Sequence, residues 1–242
     1  MSGQSHDGSP EAWTTKLRRI WLKILPPEKL LPDHQPAYVA SWVYVFGVLT
    51  LSGFVIAVLS GAVIAFRGPT WWHTSPIGHF VNSLHLWSVE LFMFFMALHL
   101  WAKFWMAAWR GRRALTWMTG VAAFLLSIVE AFTGYLSQTN FDSQWIAFES
   151  KDAFNASGAG WFFNPLNFGQ ALLLHVVLLP LILAGLVAVH VLLVRIRGVV
   201  HPIGAYSVKA APTASASVGE APAGGSGAQA VAGATNTAKE GS

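Results

Sequence analysis

Four histidines carry the chemistry available to this sequence. His85 and His99 stand fourteen residues apart in the apolar stretch LHLWSVELFMFFMALHLWAKFWMAAW (84–109), and His175 and His190 stand fifteen apart in ALLLHVVLLPLILAGLVAVHVLLV (171–194). At about 100° per residue, fourteen residues of α-helix fall about 40° short of four turns and fifteen overshoot by about 60°, so each pair stays roughly on one face, with a rise of about 21 to 23 Å. Two such helices set face to face bring the imidazoles together as two pairs at two depths, and each pair can clamp one metal from both sides. That is the axial geometry of bis-histidine haem, and a bundle core of facing helices is where a cofactor of that size is held. Cysteine is absent from the 242 residues. This excludes disulfides, iron–sulfur ligation and thioether-attached haem, and leaves histidine as the transition-metal ligand.

The elements that must position these residues are read from hydropathy. The chain is 54% hydrophobic and 11% charged, and its apolar residues fall into four blocks, 38–66, 84–109, 115–136 and 166–194, each at or beyond the twenty or so residues that span a hydrocarbon core. The pattern predicts an all-α, integral membrane four-helix bundle. Basic residues are sorted by side: Lys16, Arg18, Arg19, Lys23 and Lys29 precede the first span, Arg110, Arg112 and Arg113 join the second to the third, and Arg195 and Arg197 follow the fourth, against only Arg67 and Lys151 in the other two loops. The positive-inside rule places both termini and the second connection in the cytoplasm, with 67–83 and 137–165 outside. The net charge of +4 reflects this sorting and points to topology, not to nucleic-acid binding. Twelve tryptophans, several near the span ends, fit an interfacial belt.

Three segments follow from composition. Residues 1–37 are a cytoplasmic N-terminal segment without a cleavable secretion signal. Within it Trp13, Leu17, Ile20, Trp21, Ile24 and Leu25 recur at helical spacing opposite Lys16, Arg18, Arg19 and Lys23, which predicts an amphipathic helix lying on the membrane surface. Pro26, Pro27, Pro32 and Pro36 then make a stiff, non-helical approach to the first span. Residues 38–204 form the four-span domain, and 205–242, rich in Ala, Gly, Ser and Thr, form a disordered tail.

Inside the spans, Gly47 and Gly61 in the first and Gly120 and Gly134 in the third repeat the fourteen-residue step. Small residues serve helix packing in membranes routinely; two pairs at the histidine spacing also supply the side-chain-free surface that a porphyrin edge needs at both depths. Glu90 and Glu130 lie within spans two and three, where a bare carboxylate is expensive; proton carriage and a local hydrogen-bonded role both remain open for them. The long 137–165 loop, with Trp145, Phe148, Trp161 and Phe162, suggests a segment lying on the membrane or against a partner, and Pro180 interrupts the fourth span. His73, His79 and His201 lie near span ends without matched partners and read as structural.

Over about 28–204 these residues resemble the haem-carrying N-terminal half of cytochrome b, and more closely cytochrome b6. The resemblance rests on the paired histidines of spans two and four, the glycine pairs of spans one and three, the connection RGRRALTWMTG (110–120) and the exit HVLLVRIRGVVHP (190–202). It implies two non-covalent b-type haems, His85 with His175 nearer the outer face and His99 with His190 nearer the cytoplasm, flanked by Gly47, Gly61, Gly120 and Gly134. It also implies quinol and quinone as reactants, with Arg195 near the inner quinone and haem pocket. The implied partners are a Rieske-type iron–sulfur subunit, a subunit-IV-like C-terminal cytochrome b chain and a cytochrome c-type acceptor, in a dimeric complex of a bacterial cytoplasmic membrane. The chain departs from the family where Leu-Ser-Gln-Thr-Asn follows Gly134-Tyr135 in place of a Leu-Pro-Trp-like segment. It departs again where Val81, Ala102 and Gln170 replace arginines that meet haem propionates, and where Val45 replaces the b6 haem-attaching cysteine. Two alternatives stand beside a bc- or b6f-like electron-transfer subunit: a dihaem anchor linking a dehydrogenase or hydrogenase to the quinone pool, and a non-redox transporter or scaffold.

Overall fold

Many large hydrophobic side chains in this molecule point outward while small polar ones are buried, unlike a water-soluble core. In the computed structural model, which describes residues 12–30, 39 and 41–202, Phe66 is 91% exposed and Trp87 and Leu181 are each 69% exposed. Ser60, Ser88, Ser127, Thr133 and Ser137 are buried. In hydrocarbon this arrangement is favourable, because lipid solvates the apolar surface and small residues let helices approach. The buried hydroxyls are not orphaned: Ser60 Oγ donates to Ile56 O at 2.7 Å and Ser127 Oγ to Ala123 O at 2.7 Å.

Every regular element among the described residues is helical. The order is α1 (Trp13–Ile24), α2 (Pro27–Leu30), α3 (Trp42–Arg67), α4 (Pro69–Thr74), α5 (Pro76–Trp105), a 3-10 turn (Gly111–Arg113) running into α6 (Ala114–Leu136), α7 (Phe141–Ala156), a 3-10 turn (Ala159–Trp161), α8 (Phe168–Leu173), a π-helical turn (Leu174–Leu178) and α9 (Leu179–Arg197). Four segments, Trp42–Arg67, Pro76–Trp105, Gly111–Leu136 and Phe168–Arg197, are long and apolar enough to cross a membrane. The protein is therefore an integral membrane protein built as a four-helix bundle. The expected amphipathic helix is present as α1, with none of its residues buried. The approach to the first span is not wholly non-helical as expected: Pro27 opens α2, because proline is accepted in a first helical turn where its missing N–H is unused. Residues 1–10, Pro32, Pro36 and the 205–242 tail lie outside the described residues.

Two boundaries differ from the hydropathy reading. The second span starts at Pro76, eight residues before Leu84, since Ser75 caps it by accepting from Gly78 N–H at 3.4 Å and Pro76 presets the first turn. Its opening residues include His79 and Asn82, so a hydropathy window passes over them. The 137–165 loop is largely helical: Asn140 Oδ1 caps α7 by accepting from Ser143 N–H at 2.8 Å.

The most extensive helix contacts are α3 on α5 and α6 on α9. Gly53 lets α3 and α5 approach until a Cβ there would meet the Phe92 backbone at 3.2 Å. At the basic end of the bundle, Tyr44 OH donates to Val200 O at 2.7 Å and the Lys103 ammonium sits 3.9 Å from the Tyr44 ring centre. Arg113 Nη2 reaches Val199 O at 3.0 Å and Arg197 Nη1 reaches Arg112 O at 2.8 Å. These bonds tie the start of α3, the α5–α6 connection and the exit from α9 together.

Candidate cofactor site

Each of the four glycines faces one of the four histidines. A Cβ on Gly61 would stand 3.0 Å from His85 Cε1, one on Gly47 3.1 Å from His99 Cε1, and one on Gly120 3.0 Å from His190 Cε1; one on Gly134 would collide with His175 Cε1. The pairing follows from antiparallel packing. A fourteen-residue step up α3 is matched by a fourteen-residue step down α5, so both glycine–histidine contacts repeat at two depths about 21 Å apart. The glycines thus leave room for the histidine rings to lie against α3 and α6.

The fourth span solves the same problem with an extra residue. His175 and His190 are fifteen apart, yet they meet Gly134 and Gly120, which are fourteen apart. The π-helical turn at Leu174–Leu178, with Leu179 N–H bonded to Leu174 O, contains His175 and absorbs the additional residue. Such bulges insert one residue without breaking a helix. Pro180, which has no N–H to offer, follows immediately. The overshoot of about 60° expected for an unbroken α-helix is removed in this way.

Partners on the ring nitrogens decide which nitrogen remains free. His85 Nδ1 is 2.9 Å from Ala57 O, and His175 Nδ1 is 3.1 Å from both Glu130 O and Glu130 Oε1. These acceptors place the proton on Nδ1. His190 Nδ1 lies 3.1 Å from Thr119 Oγ1, whose own proton goes to Thr116 O at 2.9 Å, so here too Nδ1 donates. In all three rings Nε2 keeps its lone pair, as in metal-binding histidines whose second nitrogen is held by an outer acceptor. His99 Nδ1 is buried without a partner, and His190 lies within electrostatic range of it.

The His85–His175 pair fits haem. The His85 and His175 ring centres are 6.1 Å apart at an interplanar angle of 76°. Two imidazoles on one metal, with bonds of about 2 Å and about 1.2 Å more from nitrogen to ring centre, need about 6.4 Å. No cluster of three or more His, Cys, Asp or Glu able to hold a bare metal occurs among the described residues, whereas haem iron asks the protein for two axial imidazoles only. A cavity of about 130 Å³ adjoins this pair, lined among others by Gly61, Gly134, Trp72, Asn82 and Gln138. Trp72 Nε1 and Asn82 Oδ1 are buried there without partners.

Other candidates fall elsewhere. Arg195 is exposed on the last turn of α9, and Glu90 is exposed midway along α5. His73 Nε2 bonds Thr139 Oγ1 at 3.0 Å and His79 Nε2 bonds His73 O at 2.9 Å, a structural use. Sequence reasoning overlooked Ser60, Thr119 and the attachment of Glu130 to His175. A signal for the first two existed: a hydroxyl residue directly precedes Gly61 and Gly120, and Ser60 Oγ and Thr119 Oγ1 lie 3.2 and 3.1 Å from the Nδ1 atoms of His85 and His190. Gly47 follows Phe46 instead, and its histidine is the one without a partner.

Comparison with known proteins adds the following. Residues 90–147 match the family model Cytochrome b(N-terminal)/b6/petB. A cytochrome bc complex cytochrome b subunit of Chlorobaculum thiosulfatiphilum is 30% identical over 190 residues, covering 70% of this chain and 44% of that protein. Cytochrome b6 of Heliobacterium modesticaldum is 26% identical over 194 residues, covering 69% and 89%, and a menaquinol:cytochrome c reductase cytochrome b subunit of Bacillus subtilis is 28% identical over 203, covering 73% and 88%. A chain of the solved hyperthermophilic respiratory Complex III superposes with a TM-score of 0.62 at 25% identity, covering 78% of this chain and 55% of that one. The chain thus spans less than half of the Chlorobaculum protein and most of cytochrome b6.

Proposed function

This chain belongs to the cytochrome b N-terminal/b6 family, and from that premise we propose that it is the membrane electron-transfer subunit of a bc- or b6f-like quinol oxidoreductase. In this reading it carries two b-type haems, one held by His85 and His175 and the other by His99 and His190. The observation that carries the reading is the one-to-one meeting of four glycines with four histidines at two depths. A haem held by each histidine pair would supply single-electron exchange. The chain's own residues supply the rest. Ala57 O, Glu130 and Thr119 Oγ1 hold three rings with Nε2 free, Gly47, Gly61, Gly120 and Gly134 let the rings sit against the helices, and the apolar outer faces exclude water. Two layers about 21 Å apart cover most of a hydrocarbon core of about 30 Å, the distance that a pair of haems held there would bridge.

The reactants and the cytochrome c-type acceptor are proposed from a relative's name, which includes menaquinol and cytochrome c, and the other partners from the family resemblance. Quinol is oxidised at the outer side, quinone is reduced at the inner side near Arg195, and a Rieske-type subunit, a subunit-IV-like chain and a cytochrome c-type acceptor complete a dimeric complex in a bacterial cytoplasmic membrane. The basic termini and the 110–113 connection face the cytoplasm. One observation favours a second reading, a dihaem anchor for a hydrophilic dehydrogenase or hydrogenase: after Gly134-Tyr135 the chain enters α7, whose Phe141 is 79% exposed, instead of a Leu-Pro-Trp-like segment. Purification of the intact complex separates the two, since a Rieske protein supports the first and a hydrophilic oxidoreductase the second. A reduced-minus-oxidised spectrum with haem extraction tests both. Two b-type haems per chain are expected, one fewer in His85→Leu or His190→Leu, and a colourless protein would end the redox reading.

A further inference from the structure

The four histidines differ in what their Nδ1 atoms meet, and only one meets a carboxylate. His85 faces a peptide carbonyl and a serine hydroxyl, His190 a threonine hydroxyl and the Thr116 backbone, and His99 Nδ1 has no hydrogen-bond partner. His175 Nδ1 is 3.1 Å from Glu130 Oε1 as well as from the Glu130 carbonyl. The side chains are 19% and 16% exposed, and Glu130 Oε2 is buried with no partner. Glu130 stands one turn before Gly134 on α6, so the residue that clears space for His175 and the residue that grips it share a helix face. The π-helical turn that carries His175 aims its ring at this spot.

We infer that Glu130 is a positioning residue that lowers the midpoint of a haem held at His175, acting through that ring. The inference rests on the haem reading above. A hydrogen bond from the ligand's second nitrogen to a carboxylate oxygen raises ligand basicity more than one to a neutral carbonyl, and the more electron-rich imidazole favours the oxidised iron. The low dielectric around a buried pair strengthens the effect. The inner pair has no carboxylate counterpart, since His190 meets a hydroxyl and the Thr116 backbone and His99 Nδ1 has no hydrogen-bond partner. The asymmetry therefore confines the effect to the centre that His175 serves.

The test is an optical redox titration of the purified complex in wild type, Glu130→Gln and Glu130→Leu, each repeated in a His190→Leu background where the outer haem titrates alone. Glutamine keeps a neutral oxygen at nearly the same volume, and leucine removes the side-chain acceptor, leaving the backbone carbonyl of residue 130. The expected result is a rise in the outer midpoint in Glu130→Gln and a larger rise in Glu130→Leu, at least a tenfold change in the oxidised-to-reduced ratio at fixed ambient potential, which is 59 mV for one electron. The inner midpoint stays put. Retention of both haems with an unmoved outer midpoint in both variants overturns the inference. So does loss of the outer haem from Glu130→Gln, which would make the carboxylate a holder of the ring and not a tuner of its metal. A wild-type complex without haem would instead overturn the functional reading beneath it.

Discussion

Replacing Gly61 by alanine strikes at the clearance on which the outer centre depends. The added carbon would stand 3.0 Å from His85 Cε1, against ordinary carbon contacts of about 3.5 to 4.0 Å, so the ring must move off α3 by about 0.5 Å or more. Ala57 lies one turn earlier on the same helix, and its carbonyl holds His85 Nδ1 at 2.9 Å; the same movement stretches that bond toward the limit of useful geometry. Overpacking of this size costs about 1 to 3 kcal/mol and the weakened hydrogen bond about 0.5 to 1.5 kcal/mol. Together these amount to on the order of a ten- to thousandfold loss in retention at that site. The assay is haem per protein by extraction, combined with a redox titration. Gly61→Ala should weaken the outer haem and spare the inner, while Gly47→Ala, whose carbon would meet His99 at 3.1 Å, should do the opposite. Gly53→Ala is the control: it crowds the Phe92 backbone at 3.2 Å, touches no histidine, and should lower thermal stability without selecting either haem. Both haems retained in Gly61→Ala, with wild-type midpoints, would refute the clearance argument.

Deleting Val177 from the π-helical turn leaves His175 and His190 fourteen apart and should keep both haems, whereas inserting an alanine there rotates His175 by about 100° and should lose the outer one, read from the spectrum. Trp72→Phe removes a buried N–H that has no protein partner, so the thermal stability of haem-free protein should hold or rise slightly; since Trp72 lines the cavity of the outer pair, outer haem should dissociate faster. Tyr44→Phe breaks the 2.7 Å bond to Val200 O and should cost about 0.5 to 1.5 kcal/mol in detergent unfolding, with both haem spectra unchanged.

Local physics made much of this protein legible before any coordinates. Hydropathy is a property of contiguous residues, so the number of spans and the placing of the histidines on the second and fourth were readable directly, as was the amphipathic α1. The shared fourteen-residue step of histidines and glycines announced two layers. Tertiary structure decided which glycine meets which histidine, because that depends on the antiparallel register of helices whose residues are 24 to 70 positions apart in sequence. It also decided that Glu130 grips His175, that Ser60 and Thr119 sit beside Nδ1 atoms, and that a π-helical turn cancels the fifteenth residue. The helical period records only the face on which a side chain lies. What waits on the opposite face is set by how two helices slide and rotate against each other, and here small residues on both sides permit the close approach that turns four apolar spans into a candidate pair of ligand sites.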